Sequence, residues 1–318
     1  MLIITEQDIN TVFDAGEVVA AIEKAYSIQD EASTLIPDRT HIDYNQNTLL
    51  LMPGFTKEVA GTKLVGVFPE NRTKGKPVIY GQMILNDITT GEPLALINGS
   101  KLTAVRTGAV GAAAVKHLAP ESAKILGVIG AGVQGLHQIL MAAHLRDFKT
   151  ILIADFNKQQ AEKTAAKAEA AFPGISVKVS ASANELVTQS HIIITTTTAT
   201  TPVFNVEKKQ LRDKLFIGIG SYKPDMIELP PEIMETAQNI FVDTLHAMDE
   251  SGDLAVPLKN GVINKQKIVP FGKLLTSQAD RNGTNVFKSV GMALFDLTVA
   301  DYLYKKCLKN NVGTEIEL

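Results

Sequence analysis

A strand-like run, Ile125 to Ile129, leads straight into Gly130-Ala131-Gly132-Val133-Gln134-Gly135, and the apolar helical stretch LHQILMAAHL follows. The glycines are spaced G-x-G-x-x-G, the pattern of a turn that takes the pyrophosphate of a dinucleotide. Gly130 permits the tight turn, Gly132 lets the backbone approach a phosphate, and Gly135 lets the helix pack against the strand. Free N–H groups and the positive dipole end at the helix start favour an anion there. A second apolar strand, KTILIAD, ends on Asp155, 20 residues past Gly135, where a carboxylate takes ribose hydroxyls. A carboxylate repels a 2′-phosphate, so Asp155 points to NAD; the nearby Lys158 leaves NADP open. The plainer alternatives are a glycine turn without a ligand and an Asp155 that only caps a helix.

Other charged residues stand in apolar surroundings outside this stretch. Lys63 sits inside GTKLVGVFP. Burial lowers a lysine's pKa and fits it to act as an acid or a base, whereas a lysine at a strand edge simply extends its ammonium to water. Arg106 lies in a helical run otherwise made of Ala, Thr, Gly and Val. Its guanidinium needs an anion there, either a substrate carboxylate held bidentately or a structural partner. Arg39, in IPDRTHID, follows a proline turn and says little alone. Asp296, in MALFDLTVA, is expected to make a structural ion pair.

These residues have to be positioned by elements of two kinds. Residues 5–35 read as helical, with Thr5 as cap and Glu6 and Asp8 in the first turn. From about Arg39 the segments NTLLLMPGF, GTKLVGVFP and VIYGQMILNDITTGEPLALI read as strands parted by Gly and Pro turns, with a hairpin turn at 87–92. A helix rich in small residues spans 101–118, and Pro120 marks a boundary. Strands at 124–129, 150–154, 175–180, 191–196, 214–219 and 239–243 then alternate with helices, notably 158–172. That alternation predicts an α/β fold, a Rossmann-type doubly wound parallel sheet. The stretch from Ser289 to Cys307 reads as a helix that returns to the first domain.

Composition narrows the function classes. Thirty-one basic against 34 acidic side chains leave a formal charge of −3, which supplies no basic footprint for nucleic acid or an anionic membrane. The single cysteine, Cys307, excludes an internal disulfide framework and a cysteine zinc site, and the six histidines show no metal-ligand spacing, so no metal is expected. No run is long and apolar enough for a membrane span. The N-terminal MLIITEQDINTVFD lacks the basic start of a signal peptide, so a cytoplasmic protein is expected.

The motifs P-x-R-T-H (Pro37 to His41), MPGF, GTKLVGVFPEN, TGEPLALINGSKLTAVRTGA, GVIGAGVQG and FKSVGMALFDL together resemble the ornithine cyclodeaminase/μ-crystallin family, over nearly the whole chain. The resemblance implies an α+β substrate-binding and dimerisation domain, residues 1–117 with 302–318, a dinucleotide-binding domain, residues 118–301, and a homodimer. It implies that Arg39 and Arg106 bind the carboxylate of a small amino or imino acid and that Lys63 lies beside the reacting nitrogen. Thr107, Val133, Gln134, Asp155, Thr198, Gly220, Ser221 and Ser289 fall where the family contacts NAD(P). The implied chemistry is hydride transfer at Cα, with a ketimine reductase favoured. Ornithine cyclodeamination, alanine dehydrogenation and a non-enzymatic μ-crystallin-like binder are the alternatives. Cyclodeaminases carry an aspartate in a G-G-D-x-P-G-K-x-E-L segment; here GSYKPDMIEL puts Tyr222 in its place, with Asp225 three residues on, closer to the G-x-x-x-P-D form of the family's ketimine reductases.

Overall fold

The sequence folds, in chain order, into β1 (Leu2–Ile4), α1 (Glu6–Val12), α2 (Ala15–Ile28), β2 (Thr40–Tyr44), β3 (Asn47–Phe55), β4 (Val59–Val67), β5 (Ile79–Asp87), β6 (Pro93–Asn98) and α3 (Gly99–Leu118). There follow β7 (Ile125–Ile129), α4 (Val133–Leu145), β8 (Thr150–Ala154), α5 (Lys158–Ala171), β9 (Ser176–Val179), α6 (Ala183–Gln189), β10 (Ile192–Thr195) and β11 (Leu215–Gly218). The chain finishes with α7 (Pro231–Thr236), β12 (Asn239–Val242), α8 (Ala247–Glu250), α9 (Gly252–Lys259), β13 (Ile268–Pro270), β14 (Asn285–Lys288), α10 (Ala293–Asn310) and β15 (Thr314–Glu315). This computed structural model describes residues 1–276 and 281–317.

Two units result, one built from residues 1–106 and the chain from Met292 onward, the other from Thr107–Gly291. The units part within α3 and just before α10, rather than at 117/118 and 301/302. Packing is the reason. From Thr107 onward α3 lies so close to α4 that a Cβ on Gly108 would sit 2.7 Å from His137 O. All of α10 packs within the first unit, on α1, α2 and the strands β3 to β5.

In the first unit a seven-stranded sheet runs in the order β15-β1-β6-β5-β4-β3-β2, antiparallel except for the β1–β6 pair. The alternation of side chains along a strand gives the sheet two faces. One face carries the buried cross-strand row Met52, Lys63, Met83 and Ile97. Gly61 lets α10 come close to this face, since a Cβ there would meet Ile84 O at 2.6 Å and Leu297 at 3.1 Å. The other face carries Ile42, Leu49, Tyr80 and Ile84, all exposed. The helical stretch expected over 5–35 is two helices ending at Ile28. Thr5 and Asp8 form a capping box on α1, and the Asp14 carboxylate accepts the Glu17 N–H to start α2 afresh.

The second unit is an eight-stranded, wholly parallel sheet in the order β13-β12-β14-β11-β10-β7-β8-β9. The chain winds outward from β7 to β9, returns to β10 on the other side of β7 and winds outward again. The reversal at β7/β10 is the switch point of a doubly wound fold, and ligands bind such sheets at the carboxyl ends of the strands. β14 inserts between β11 and β12, and α10 begins at Ala293, where the sequence reading starts a helix at Ser289.

Candidate active site

In the first unit, β4 carries Lys63 into the interior opposite α10, and α3 carries Arg106 to the same place. Lys63 Nζ lies 2.8 Å from Asp296 Oδ1, with side-chain exposures of 2% and 1%. Arg106 donates from Nε to the same oxygen at 3.1 Å. Nε is its only hydrogen-bonding nitrogen among the described residues, which leaves the planar Nη pair for a second anion. Lys63 also donates to Thr103 Oγ1 at 3.4 Å, and an ammonium has a third N–H to give. Asp296 Oδ2 is buried and has no hydrogen-bond partner among the described residues.

Electrostatics set the charge of this cluster. Burial pushes the Lys63 pKa down to about 8; Asp296 opposes the fall, while Arg106 and Arg39 add to it. Arg39 therefore stands within electrostatic reach of the lysine. Burial alone would raise the Asp296 pKa, yet Arg106 and Lys63 together hold it below the usual carboxylate value. The resulting site is a fixed carboxylate, an ammonium close to its titration point and a guanidinium with one edge uncommitted. Such a group of charges can hold a substrate carboxylate and move a proton nearby. Asp296 is thus more than the isolated structural pair expected from sequence.

In the second unit, the residues singled out from sequence gather at the carboxyl ends of parallel strands. Gly130 follows β7 with φ +101°, and its carbonyl accepts a hydrogen bond from Thr196 Oγ1, after β10, at 2.9 Å. A Cβ on Gly135 would lie 1.9 Å from Gly130 O, whereas one on Gly132 would meet nothing within 4 Å. Gly132 is the N-cap of α4 and supplies no side-chain cap, so the first N–H groups of the helix stay open to an anion. Val133 is exposed, and the buried Gln134 Oε1 has no partner among the described residues. Asp155, after β8, accepts the Ala131 N–H at 2.7 Å and the Asn157 N–H at 2.8 Å. The helix cap there is Asn157, not Asp155.

Thr198 is exposed after β10, and Gly220 follows β11. Ser221 and Ser289 differ in having buried side chains. Ser221 Oγ donates to Met226 O at 2.6 Å, and Ser289 Oγ donates to Asp243 Oδ2 at 2.7 Å. Thr107, on α3, offers its carbonyl to Gln138 Nε2 at 2.8 Å. An open helix start, a glycine with room above it and a carboxylate at the end of the neighbouring strand fit an NAD molecule. Gly132, Val133 and Gln134 would hold its pyrophosphate, and Asp155 its adenosine ribose.

The sequence model of the ornithine cyclodeaminase/mu-crystallin family matches residues 2–311. The chain belongs to this family. A relative named Delta(1)-pyrroline-2-carboxylate reductase, from Bacillus cereus, is 37% identical over 330 residues that cover 100% of each chain. The structure of Thermococcus litoralis Delta(1)-pyrroline-2-carboxylate reductase with NADH and L-proline superimposes with a TM-score of 0.91 at 33% identity, covering 99% of this chain and 100% of that one. An archaeal alanine dehydrogenase dimer with bound NAD superimposes with a TM-score of 0.90 at 29% identity, covering 100% and 99%. The protein is an NAD(P)-dependent oxidoreductase of the ornithine cyclodeaminase/mu-crystallin family.

Proposed function

We propose that the enzyme reduces a small cyclic ketimine acid, Δ1-pyrroline-2-carboxylate or its six-membered homologue, to the cyclic amino acid. The observation that carries this reading is the buried Lys63–Asp296–Arg106 cluster. Arg106, fixed through Nε, presents its Nη edge to the substrate carboxylate, and Arg39 adds a second positive charge. The reduced nicotinamide, when bound, supplies the hydride that goes to Cα. Lys63 Nζ gives its proton to the ring nitrogen, so the carbon–nitrogen double bond becomes a single bond and the lysine is left neutral until water reprotonates it. A pKa of about 8 keeps Lys63 charged at neutral pH, yet acidic enough to release that proton. Asp296 stays anionic throughout and keeps the ammonium in place.

Tyr222 favours reduction over cyclodeamination, because a phenol cannot serve as the carboxylate that would handle a departing amine. The relatives named pyrroline-2-carboxylate reductase support the same choice. The test is nicotinamide absorbance with purified protein, using NADH plus pyrroline-2-carboxylate and, in parallel, NAD plus L-ornithine with proline quantified. Loss of NADH with the ketimine and no proline from ornithine supports reduction. Proline and ammonia formed from ornithine without a net absorbance change refutes it. Lys63→Ala should abolish turnover and leave NADH binding nearly intact.

The active form is proposed to be a homodimer formed through the exposed face of the first unit's sheet. Ile42, Leu49 and Tyr80 line up there across β2, β3 and β5, on either side of Gly66, and Ile84 extends the patch. A second copy would cover apolar surface that a lone domain leaves in water, and the archaeal alanine dehydrogenase relative is described as a dimer.

A further inference from the structure

Two carboxylates are buried beneath the carboxyl ends of β10, β11, β12 and β14, and the chemistry above assigns neither a role. Glu228 is fully buried. Its Oε1 accepts from Thr197 N at 2.5 Å and Thr197 Oγ1 at 2.9 Å, and its Oε2 from Gly220 N at 2.7 Å and Ser221 N at 3.1 Å. One side chain therefore ties the loop after β10 to the loop after β11. Asp243, also fully buried, does the same for the next pair. Its Oδ1 accepts the Thr244 N–H at 2.8 Å, and its Oδ2 accepts Ser289 Oγ at 2.7 Å, Val290 N at 2.9 Å and Gly291 N at 2.7 Å. It thus joins the loop after β12 to the loop after β14.

Every hydrogen-bond partner of these two groups is a donor, which favours the carboxylate form, while burial pushes the pKa of each upward and the nearby Asp253 adds to the rise at Glu228. Beneath Glu228 lies a further layer. Asp253 Oδ1 accepts Glu228 N and Leu229 N, and Asp253 Oδ2 lies 3.1 Å from Lys288 Nζ, with both side chains 0% exposed. The backbone at Gly220 packs tightly against this network. A Cβ on Gly220 would come within 2.0 Å of Thr197 O and 2.6 Å of Glu228 Oε1.

The dinucleotide's expected course gives these loops a purpose. Its pyrophosphate belongs at the Gly130–Gly135 turn and its adenosine ribose at Asp155, on the β7–β8 side of the switch point. The nicotinamide half must then extend to the opposite side, over β10, β11 and β14. We propose that Glu228 and Asp243 are positioning residues that preform the loops receiving the nicotinamide half, while touching neither cofactor nor substrate themselves. This rests on the dinucleotide reading above. It also accounts for Ser221 and Ser289, whose buried hydroxyls serve loop shape rather than ligand contact. Preformed donors cost no rearrangement when the ring arrives, which is how a rigid site orients a reacting group.

The experiment compares the affinities of NADH and ADP-ribose, which shares all but the nicotinamide, for the full-length protein and Glu228→Gln. The amide presents N–H groups where only acceptors fit. NADH affinity should fall at least 10-fold and ADP-ribose affinity should stay within 2-fold. An equal fall for both ligands, or no fall for either, overturns the proposal. Wild-type protein that binds neither ligand overturns the dinucleotide reading instead. Should Glu228→Gln not fold, hydrogen exchange on the wild-type protein decides. Without nucleotide, the Gly220, Ser221, Val290 and Gly291 amides should exchange at least 100-fold slower than in an unstructured peptide. Exchange at the peptide rate overturns preformed loops.

Discussion

Replacing Asp296 by asparagine preserves shape and removes one charge, so it isolates what the carboxylate does for Lys63. The two groups are 2.8 Å apart and almost wholly buried. At an effective dielectric of about 20, a unit charge at that separation contributes on the order of 5 kcal/mol. Since about 1.4 kcal/mol moves a pKa by one unit, the lysine should fall by roughly two to four units, relaxation and water entry taking the smaller end of that range. It starts from about 8. A fall of only two units leaves about 3% of the lysine protonated at pH 7.5, a drop of about 25-fold in the proton-donating form. The assay is the initial rate of NADH loss with pyrroline-2-carboxylate between pH 5.5 and 9.5. The alkaline limb of kcat/KM should move to pH 6 or below, with activity recovering toward the acid end. An Asp296→Asn enzyme whose alkaline limb stays near 8 would refute the idea that this carboxylate holds the lysine's charge. Removing one member of a buried ionic cluster costs ~3–5 kcal/mol of stability, so a thermal melt should fix the assay temperature.

Three further outcomes are expected. In the wild-type enzyme, ketimine reduction needs the charged lysine and should decline as pH rises through about 8, while oxidation of the cyclic amino acid needs the neutral form and should rise through the same value; both are read from kcat/KM profiles. Gly132→Ala and Gly135→Ala should separate ligand approach from packing. A Cβ on Gly132 meets nothing in the protein, so its melting temperature should hold while NADH affinity falls at least 10-fold; a Cβ on Gly135 lies 1.9 Å from Gly130 O, so melting temperature and binding should both collapse. Ile84→Lys, on the exposed sheet face, should turn a dimer into a monomer in light scattering, and a wild-type protein that is monomeric at micromolar concentration would remove the proposed interface.

The glycine turn and Asp155 were legible because local spacing encodes them, and six of the eight strands of the second unit because each is a short, mostly apolar run between turn residues. β1, β13, β14 and β15 were missed for the opposite reason. Each is two to four residues long and is defined by pairing with distant chain, as β1 is with β6 and β14 between β11 and β12. The cluster in the first unit was half legible. Lys63 and Arg106 announced themselves as charges among apolar neighbours, but Arg106 and Asp296 are 190 residues apart, and no spacing rule joins them. Glu228 and Asp243 were invisible, because their partners are mostly backbone N–H groups, which every sequence contains. Lys288, in the apolar strand NVFKSV, carries the same signal as Lys63 and could have been found by it.

The double bonding of Asp155 bears on how this scaffold can change its cofactor preference. The carboxylate proposed to discriminate against a 2′-phosphate also accepts the Ala131 N–H inside the glycine turn and the Asn157 N–H beyond it. Removing it to admit NADP would leave the turn without an acceptor, so the substitution that relaxes selectivity also loosens the pyrophosphate seat. Phe156, next in the chain, is fully exposed, and Lys158 is 81% exposed. Positive charge introduced at Phe156 would disturb no packing, and the Lys158 ammonium already stands two residues on. Selectivity on this framework is therefore easier to alter by adding a cation beside Asp155 than by replacing Asp155 itself, and an evolutionary or engineered path to NADP would be expected to pass through Phe156 first.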